Sequence, residues 1–568
     1  MKITGAEGLI KSLICEGVDT VFGYPGGQII AVYDKLYDYQ NEINHILVRH
    51  EQGAIHAAQG YARSSGKTGV VIVTSGPGAT NVVTGLGDAL MDSTPLVVIT
   101  GQVSTAFLGT DAFQETDVVA VTQQLTKWAV QIRRPEDIPG AVARAFYIAS
   151  SGRPGPVVLD IAKDAQFGLT EWSHEQCRFI RSYNPTPEIP EEDINEIAGI
   201  LNNAERPLIL AGHGITIANA EHSLLEVAEK GNIPVATTLL GRANLPFSHP
   251  LHKGMLGMHG NIGPNIATNK ADVILALGMR FDDRITGDVS KYAPQAKIIH
   301  VDIDPSELNK IVRASKSVHG DAGKLLASIL PLMQYRDRKE WLALFDKCDT
   351  TEISEVISHE LHPDKEEMNM GEVIDVVSEM APADTICVTD VGQNQMFAAR
   401  YFRCRSPRSF ISSGGLGTMG FGLPAAIGAK IGAEKRPVVL FVGDGGLQMT
   451  IQELGTIMTY NVDVKIVLLN NSFLGNVRQW QELFFNARFS QTQMHNPDFV
   501  RLASAYGIAG EDVTDRSMLS DAVKRMFEHD GAYLMNVRVD AKDMIFPMIP
   551  AGGVVDRILL NPTTKFSI

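Results

Sequence analysis

The segment PVVLFVGDGG (437–446), followed by VKIVLLNNS (464–472), decides the fold of this chain. Each segment is a short apolar run that ends in glycine, aspartate or asparagine, and the helix-forming segment TIQELGTIMTY (450–460) separates them. Short β-branched runs around a helix are typical of a βαβ unit whose parallel strands are buried on both faces. Asp444 and Asn471 are therefore predicted to lie at the carboxyl ends of two strands of one sheet.

The same alternation of strand and helix recurs along the chain. Further apolar runs end in Gly, Ser or Asp at 70–78, 95–101, 156–162, 207–214, 272–278 and 297–304. Stretches 166–192 and 334–370 lose this period and gather proline or charge, as linkers do. The pattern predicts an α/β protein of three doubly wound parallel-sheet domains, at 1–165, 190–335 and 368–545.

Composition narrows the function classes. The chain has 568 residues, 44% of them hydrophobic and 20% charged, with a formal net charge of −15. This balance excludes a disordered chain and disfavours nonspecific binding to nucleic acid or anionic membranes. The five cysteines form no CxxC pair, and no apolar run approaches the roughly 20 residues of a membrane helix. We expect a cytoplasmic protein with no nucleic-acid or membrane partner.

Asp444 and Asn471 form the sharpest chemical signal. Twenty-four residues separate the Gly443-Asp444-Gly445 triplet from the Asn470-Asn471 pair. One carboxylate and one amide suit a hard cation such as Mg²⁺, with diphosphate oxygens completing the octahedron. The glycines let the backbone approach phosphate closely. The alternative is a βα turn in which Asp444 caps a helix and the asparagines form a turn.

This spacing is the fingerprint of thiamine diphosphate enzymes, and the chain resembles the bacterial catalytic subunits of the acetohydroxyacid synthase (acetolactate synthase) family from about residue 4 to 552. The resemblance implies a thiamine diphosphate-binding fold whose first domain binds the pyrimidine, whose central domain binds FAD and whose third domain binds the diphosphate. It rests on these motifs: FGYPGG (22–27), RHEQGA (49–54), TSGPGATN (74–81), GTDAFQETD (109–117), SGRPGPV (151–157), LGMHG (256–260), RFDDR (280–284), DVGQ (390–393), SGGLGTMGFGLPAA (413–426), LNNSFLG (469–475) and VRQWQ (477–481).

The implied activity is the first common step of valine, leucine and isoleucine biosynthesis. Pyruvate would be decarboxylated on thiamine diphosphate, and the hydroxyethyl group joined to pyruvate or 2-ketobutyrate, giving 2-acetolactate or 2-aceto-2-hydroxybutyrate. The family implies a homodimer or homotetramer with active sites between subunits, and a small regulatory subunit.

The resemblance also implies residue roles around thiamine diphosphate. Glu51, which by position alone is an acidic first-turn helix residue, would hydrogen-bond the aminopyrimidine ring and promote proton removal from the thiazolium. Gly27, Phe113, Gln114 and Lys163 would flank the reacting centre or its entrance. Met419, otherwise a packing residue, would bend the cofactor. The remaining cofactor contacts would be Val391, Gly392, Gln393, Gly417, Gly443, Asp444, Gly445, Gly446, Asn471 and Gly475. Asp444, Asn471 and the Phe473 carbonyl would bind the metal.

FAD and the second keto acid have weaker signals, because the central domain lacks a GxGxxG motif and its glycines and acids also suit ordinary βα turns. The resemblance implies an FAD that performs no net redox. Its contacts would be Arg153, Gly212, Leu256, Met258, His259, Gly278, Arg280, Asp282, Arg284, Asp302 and Asp321. Arg280 and Trp480 would select the second keto acid by charge and by packing on its alkyl group. Without the resemblance, core packing would explain Trp480.

Four positions depart from the family pattern. Asn394 replaces a common histidine and Asn476 a common methionine beside the cofactor. Gln28 and Ser104 replace a frequent alanine and proline where herbicide inhibitors bind, and we expect reduced inhibitor sensitivity with catalysis intact. Three alternatives remain open: a pyruvate oxidase, an FAD-free catabolic acetolactate synthase, and a noncatalytic nucleotide-binding regulator. RFDDR with VRQWQ argues against the first, RFDDR against the second, and an intact set of Glu51, Asp444 and Asn471 against the third.

Overall fold

The computed structural model describes residues 2–433 and 435–566. Within these residues the chain forms three six-stranded sheets in which every pairing is parallel. Helices cover both faces of each sheet, as the near-continuous apolar strands require. The predicted fold class is confirmed.

The first sheet has the strand order β3-β2-β4-β5-β7-β6, and a short antiparallel pair, β1-β8, lies beside it. The strands are β1 (Lys2–Thr4), β2 (Thr20–Gly23), β3 (Asn44–Leu47), β4 (Gly69–Val73), β5 (Leu96–Gln102), β6 (Trp128–Ile132), β7 (Pro156–Ala162) and β8 (Leu169–Glu171). The helices are α1 (Gly5–Cys15), α2 (Ile30–Asp38), α3 (Glu51–Ser65), α4 (Pro77–Thr80), α5 (Val83–Met91), α6 (Val118–Thr122), α7 (Ile138–Ser150) and α8 (Lys163–Phe167).

The central sheet has the order β11-β10-β9-β12-β13-β14. Its strands are β9 (Pro207–Ala211), β10 (Val235–Thr237), β11 (His252–Met255), β12 (Val273–Leu277), β13 (Lys297–Asp302) and β14 (Lys316–His319). Its helices are α9 (Glu191–Asn203), α10 (His213–Ile217), α11 (Glu221–Gly231), α12 (Ile262–Thr268), α13 (Asp283–Thr286) and α14 (Ala322–Ile329). Stretch 334–370, predicted as a linker, holds α15 (Lys339–Glu352) and α16 (Ser358–Leu361), and Trp341 and Phe345 of α15 are buried in the central core.

The third sheet has the order β16-β15-β17-β18-β20-β19. Its strands are β15 (Ile386–Thr389), β16 (Phe410–Ile411), β17 (Val438–Gly443), β18 (Lys465–Asn470), β19 (Ala509–Val513) and β20 (Tyr533–Arg538), and the tail adds β21 (Ile558–Leu559) and β22 (Lys565–Phe566). Its helices are α17 (Met370–Met380), α18 (Gln393–Tyr401), α19 (Gly422–Gly432), α20 (Asp444–Met449), α21 (Leu454–Tyr460), α22 (Gly475–Phe484), α23 (Phe499–Ala505) and α24 (Arg516–Glu528).

Helices α3 and α19 join the first domain to the third by direct backbone contact. A β-carbon on Gly60 would lie 1.9 Å from the carbonyl oxygen of Ala425, and one on Gly428 would lie 1.7 Å from that of Ala57. No side chain fits at either crossing point, so glycine is required there. The two sheets are thereby held at a fixed separation.

Within residues 2–433 and 435–566, no helix is both long enough and apolar enough to cross a bilayer.

The α3–α19 contact predicts that a methyl group added at this contact lowers the stability of the protein, whereas one added to an open helix surface does not. Gly428→Ala should lower the free energy of unfolding by about 3 kcal/mol, because the new carbon overlaps backbone that cannot move aside. Thermal or urea unfolding of the purified chain measures this change.

Gly199→Ala in α9 is the matched control, since a β-carbon there meets no atom within 4 Å. It should raise the stability by up to about 1 kcal/mol through helix propensity. Equal stability of the two variants would contradict the described packing.

Candidate functional site

A small cleft lies at the carboxyl edge of the third sheet, where β17 and β18 end side by side with Gly443 opposite Leu469. We call it the GDG cleft. Asp444 begins α20 directly after β17, and Asn471 directly follows β18. The structure brings the sequence-predicted diphosphate and metal residues together here. The cleft is lined by Val391, Gly392, Gln393, Met419, Gly443, Asp444, Gly445, Gly446, Asn471, Phe473 and Gly475, among others.

Asn496 is a residue of this site that the sequence did not reveal. Its amide Nδ2 donates to Asp444 Oδ2 at 2.6 Å and to Asn470 Oδ1 at 3.0 Å. Burial raises the pKa of Asp444 above its ordinary value, and the hydrogen bonds from Asn496 and from backbone amides offset only part of that rise. Asn496 therefore fixes the orientation of the carboxylate. It lies outside every motif, and only the folded chain brings it to the two strand ends.

The lining of the GDG cleft fits a metal-bound diphosphate. A β-carbon on Gly443 would meet only Asn394 Oδ1, at 3.7 Å, so the backbone there is open to a ligand. Gln393 Oε1 and Asn476 Oδ1 are buried without a hydrogen-bond partner among the described residues. Buried polar atoms of this kind call for a polar ligand or water. Asp444, Asn471 and carbonyl oxygens are the donor set that Mg²⁺ prefers.

Glu51 lies in the first domain, as the first residue of α3, and it is partly buried. Asn81 Nδ2 donates to Glu51 Oε2 at 2.9 Å. The preceding backbone is held by the third domain, because Arg49 N donates to both oxygens of the fully buried Glu453, at 3.1 and 3.2 Å. Glu453 was not found from the sequence either. It couples the position of Glu51 to the segment that follows Asp444.

The other first-domain candidates also follow carboxyl ends of strands. Gly27 follows β2, Phe113 and Gln114 lie in the loop after β5, and Lys163 directly follows β7. Phe113 is 83% exposed, and Gln114 has a φ of +62°. These residues and Glu51 line neither the GDG cleft nor the larger cavity described next. A single chain thus presents two separate halves of the predicted site.

A cavity of about 640 Å³ lies between the three domains, and we call it the interdomain cavity. This volume is in the range of cofactor sites. Asn476 and Val391 line both this cavity and the GDG cleft, so the two are neighbours. Ten of the eleven residues predicted to bind FAD line it: Arg153, Leu256, Met258, His259, Gly278, Arg280, Asp282, Arg284, Asp302 and Asp321.

Gly212 is the exception, because it packs behind the cavity wall. A β-carbon on it would lie 2.1 Å from the carbonyl oxygen of Gly278. The mainly apolar lining carries polar groups that suit a nucleotide cofactor: His259 Nδ1 is buried without a partner among the described residues, and burial raises the pKa of Asp302 to about 7. Arg153 spans the domains, since its Nη1 lies 2.8 Å from Glu307 Oε1 and 3.2 Å from Asp304 Oδ2.

Arg280 and Trp480, the residues predicted to select the second keto acid, both line the interdomain cavity, and their role stays a prediction. The guanidinium of Arg284, not Arg280, lies over the Trp480 ring, 5.9 Å from its centre. Arg280 instead lies 3.7 Å from Asp282 Oδ2 and 3.9 Å from Met91 Sδ. Both arginines belong to one RFDDR segment, and the turn into α13 decides which of them faces Trp480. The sequence motif alone left that choice undetermined.

Asn394, one of the departures from the family pattern, has a defined orientation. Its Nδ2 donates to the carbonyl of Phe441 at 3.1 Å. Its Oδ1 therefore faces Gly392 and Gly443, since β-carbons added to these two glycines would lie 3.3 and 3.7 Å from that oxygen. An acceptor rather than a donor is directed at the cleft from this position.

Comparison with known families places this geometry in a class. Residues 3–121, 194–329 and 390–537 match the N-terminal TPP binding domain, the central domain and the C-terminal TPP binding domain of thiamine pyrophosphate enzymes. The chain is therefore a thiamine pyrophosphate enzyme, and its cofactor includes thiamine diphosphate.

Full-length relatives give the family within that class. The chain is 43% identical to the acetolactate synthase isozyme 2 large subunit of Escherichia coli, covering 97% of this chain and 98% of the relative. It is 43% identical to the acetolactate synthase large subunit of Lactococcus lactis, with 98% and 96% covered, and 42% identical to the probable acetolactate synthase large subunit of Methanocaldococcus jannaschii, with 99% and 96% covered. The chain belongs to the family of acetolactate synthase large subunits, which confirms the resemblance.

The contacts of Asn496 generate a prediction for the metal. Asn496→Ala should raise the Mg²⁺ concentration needed for half-maximal thiamine diphosphate binding by about 10- to 100-fold, because Asp444 loses the group that orients it. Quenching of tryptophan fluorescence by thiamine diphosphate, titrated with Mg²⁺, measures the effect.

Asn203→Ala is the control, since the Asn203 amide donates to the helix carbonyl of Gly199 in an exposed contact. It should leave the Mg²⁺ dependence unchanged. An unchanged Mg²⁺ dependence in Asn496→Ala would remove Asn496 from the site.

Proposed function

We propose that this chain is the catalytic subunit of an acetolactate synthase. It releases CO₂ from pyruvate and joins the remaining two-carbon unit to the keto carbon of a second pyruvate or of 2-ketobutyrate. The products are 2-acetolactate and 2-aceto-2-hydroxybutyrate. The reaction is the first common step towards valine, leucine and isoleucine.

One observation supports this reaction above other thiamine chemistry. The arginine–tryptophan pair Arg284–Trp480 lies in the cavity that shares Asn476 with the GDG cleft. A guanidinium binds the carboxylate of a keto acid, and an indole face packs against its alkyl group. This pair supports a binding site for a keto-acid acceptor next to the cofactor cleft, which an oxidase that transfers to phosphate or water does not require.

The proposed roles of the chain's own groups follow from their positions. Thiamine diphosphate, when bound, supplies a nucleophilic carbon and an electron sink. Asn81 holds Glu51 Oε2, which leaves Oε1 to exchange the proton with the cofactor ring. Gly27 gives the reacting carbonyl close access to backbone, and Phe113 and Gln114 cover it. Exclusion of water by these groups favours carbon–carbon bond formation over protonation to acetaldehyde.

The proposed cofactors also include Mg²⁺ and FAD. Asp444, Asn471 and the Phe473 carbonyl would hold Mg²⁺ in the GDG cleft. The interdomain cavity would hold FAD against the ten lining residues named above, with Asp302 at the end of β13 and Asp321 just before α14. We assign FAD a structural role without net redox, in agreement with a reaction whose substrates and products balance without an oxidant.

We also propose a dimer or a higher oligomer, because Glu51 and the GDG cleft do not meet within one chain. A second copy would supply the missing half of each site, and the 83% exposed Phe113 would be covered there. The relatives are named large subunits, which supports a small regulatory partner for this chain as well. The cytoplasm is the proposed location.

Product analysis tests the function. The purified chain would receive pyruvate, thiamine diphosphate, Mg²⁺ and FAD, and acetolactate, acetaldehyde, acetate and acetyl phosphate would be quantified with and without oxygen and phosphate. Oxygen-independent acetolactate is expected. Acetate or acetyl phosphate that depends on oxygen or phosphate would indicate an oxidase instead, and no turnover of pyruvate would favour a regulator.

Mixed oligomers test the shared site. Glu51→Gln and Asp444→Ala are each expected to be inactive alone. Co-expression should restore about one quarter of wild-type activity, because half of the dimers are mixed and each mixed dimer has one intact site of two. A mixture that stays inactive, although mass spectrometry detects mixed dimers, would place Glu51 and Asp444 in the same chain's site.

Arg284 and Arg280 provide a matched pair for substrate selection. Arg284→Gln should raise the KM for the second keto acid by about 10- to 100-fold through loss of a charged hydrogen bond. Competition between pyruvate and 2-ketobutyrate, with both products quantified, measures the change. Arg280→Gln should mainly weaken FAD binding. The reverse pattern would assign the selection to Arg280, as the sequence predicts.

A further inference from the structure

Loop 412–418 of the third domain, together with the adjoining Met419, forms part of the walls of both cavities. Ser413, Gly414, Gly415, Leu416 and Gly417 line the interdomain cavity, and Met419, just beyond the loop, lines the GDG cleft. The C-terminal side of the loop is anchored within its own domain, since Gly420 N donates to the fully buried Asp390 Oδ2 at 3.0 Å. Its N-terminal side is anchored differently.

Two acids of the first domain hold the start of the loop and also Thr418 at its end. Asp88 in α5 and Asp92 just after it are 0% and 1% exposed. Asp92 Oδ2 accepts from Gly414 N at 2.9 Å, and Asp92 Oδ1 accepts from Gly415 N at 2.7 Å. The hydroxyl groups of Ser413 and Thr418 both donate to Asp88 Oδ1. Every one of these contacts crosses between domains.

Arg63 of α3 completes the anchor. Its Nη2 donates to Asp92 Oδ2 at 2.9 Å and its Nη1 to the carbonyl of Ser412 at 2.5 Å. Arg63 is 7% exposed, so its charge is balanced inside the protein by Asp92. A buried charge without its partner would be strongly unfavourable.

We propose that Asp88 and Asp92 are positioning residues that fix loop 412–418 from the first domain and thereby shape the cofactor sites on both sides of it. The inference rests on the proposed function for the identity of the two ligands. Neither acid lies on a cofactor-binding motif; Asp92 lines the interdomain cavity, Asp88 lines neither cavity, and neither needs to touch the reacting atoms. Release of the loop should weaken the binding of thiamine diphosphate and of FAD together, because the two sites share one wall.

The two acids differ in a way that makes the proposal testable. Asp92 uses both oxygens for three donors, so an asparagine there must turn an NH₂ group towards one of them. Asp88 uses only Oδ1, and its Oδ2 has no hydrogen-bond partner in the described ranges. Burial and the charge of Asp92 raise the pKa of Asp88 to about 6. An asparagine at 88 keeps both accepted hydrogen bonds and resembles the protonated acid.

Direct binding to the full-length apoprotein is the measurement, with thiamine diphosphate plus Mg²⁺ followed by tryptophan fluorescence and FAD by flavin fluorescence. Asp92→Asn should weaken both ligands about tenfold or more, and so should Asp88→Ala, whereas Asp88→Asn should bind both as the wild type does. Asp160→Asn is the control: Asp160 is equally buried, but its partners Thr100, Gln102 and Gln131 all belong to the first domain.

Gly415→Ala reaches the same contact without removing a buried charge, should Asp92→Asn fail to fold. A β-carbon on Gly415 would lie 2.9 Å from Asp92 Oδ1 and 2.8 Å from Met91 Cβ, so it should push the loop off its anchor and weaken both ligands.

Unchanged affinities in Asp92→Asn or Gly415→Ala, a loss for one ligand only, or an equal loss in Asp160→Asn would overturn the proposal. Because binding needs no turnover, a chain that binds both ligands but makes no acetolactate refutes the proposed function and leaves this test intact. A wild-type chain that binds no FAD refutes the flavin assignment and the shared wall with it.

Discussion

The backbone contact between α3 and α19 is the constraint on which the remainder of the structure depends. Gly60 against Ala425 and Gly428 against Ala57 bring α3 of the first domain and α19 of the third closer than any side chain would allow. Only at this separation do Asp92 and Arg63 reach loop 412–418, and only then does Glu453 reach the backbone before Glu51. The positions of the predicted site residues therefore depend on two backbone contacts that involve no catalytic or ligand-binding side chain.

Each of the three domains supplies a different part of the site. The third domain has a cleft in which Asp444 and Asn471 provide oxygen ligands for a metal. The first domain has the Glu51 carboxylate, one oxygen of which accepts a hydrogen bond from the Asn81 amide. In the described part of the chain, the cavity between the three domains is lined by three arginines, of which Arg284 faces the indole of Trp480. Each part sits where a parallel strand ends, so the positions come from topology, and the distances come from packing between domains.

Strand and helix periodicity was sufficient to predict three parallel sheets, because fully buried strands leave long apolar runs in the sequence. Local motifs likewise located Asp444, Asn471 and ten of the residues that line the interdomain cavity. Asn496, Glu453 and Asp92 escaped prediction because each acts through a partner remote in sequence and carries no motif of its own. The sequence could not show that Arg284, rather than Arg280, lies over the Trp480 ring, because both stand in one short motif and only the turn between them decides which faces the indole.

The α3–α19 contact also has a consequence for folding during synthesis, because its two helices are far apart in the sequence. Roughly 365 residues separate Gly60 from Ala425, and a ribosome adding about 5–20 residues per second needs about 20–70 seconds to synthesise them. Throughout that interval the glycine face of α3 has no partner, and the buried pair Arg63–Asp92 lacks the loop that completes it. The first domain of the nascent chain therefore cannot complete its packing until the last third of the chain has been synthesised. A prematurely terminated product would expose the glycine face of α3 to the rest of the cell.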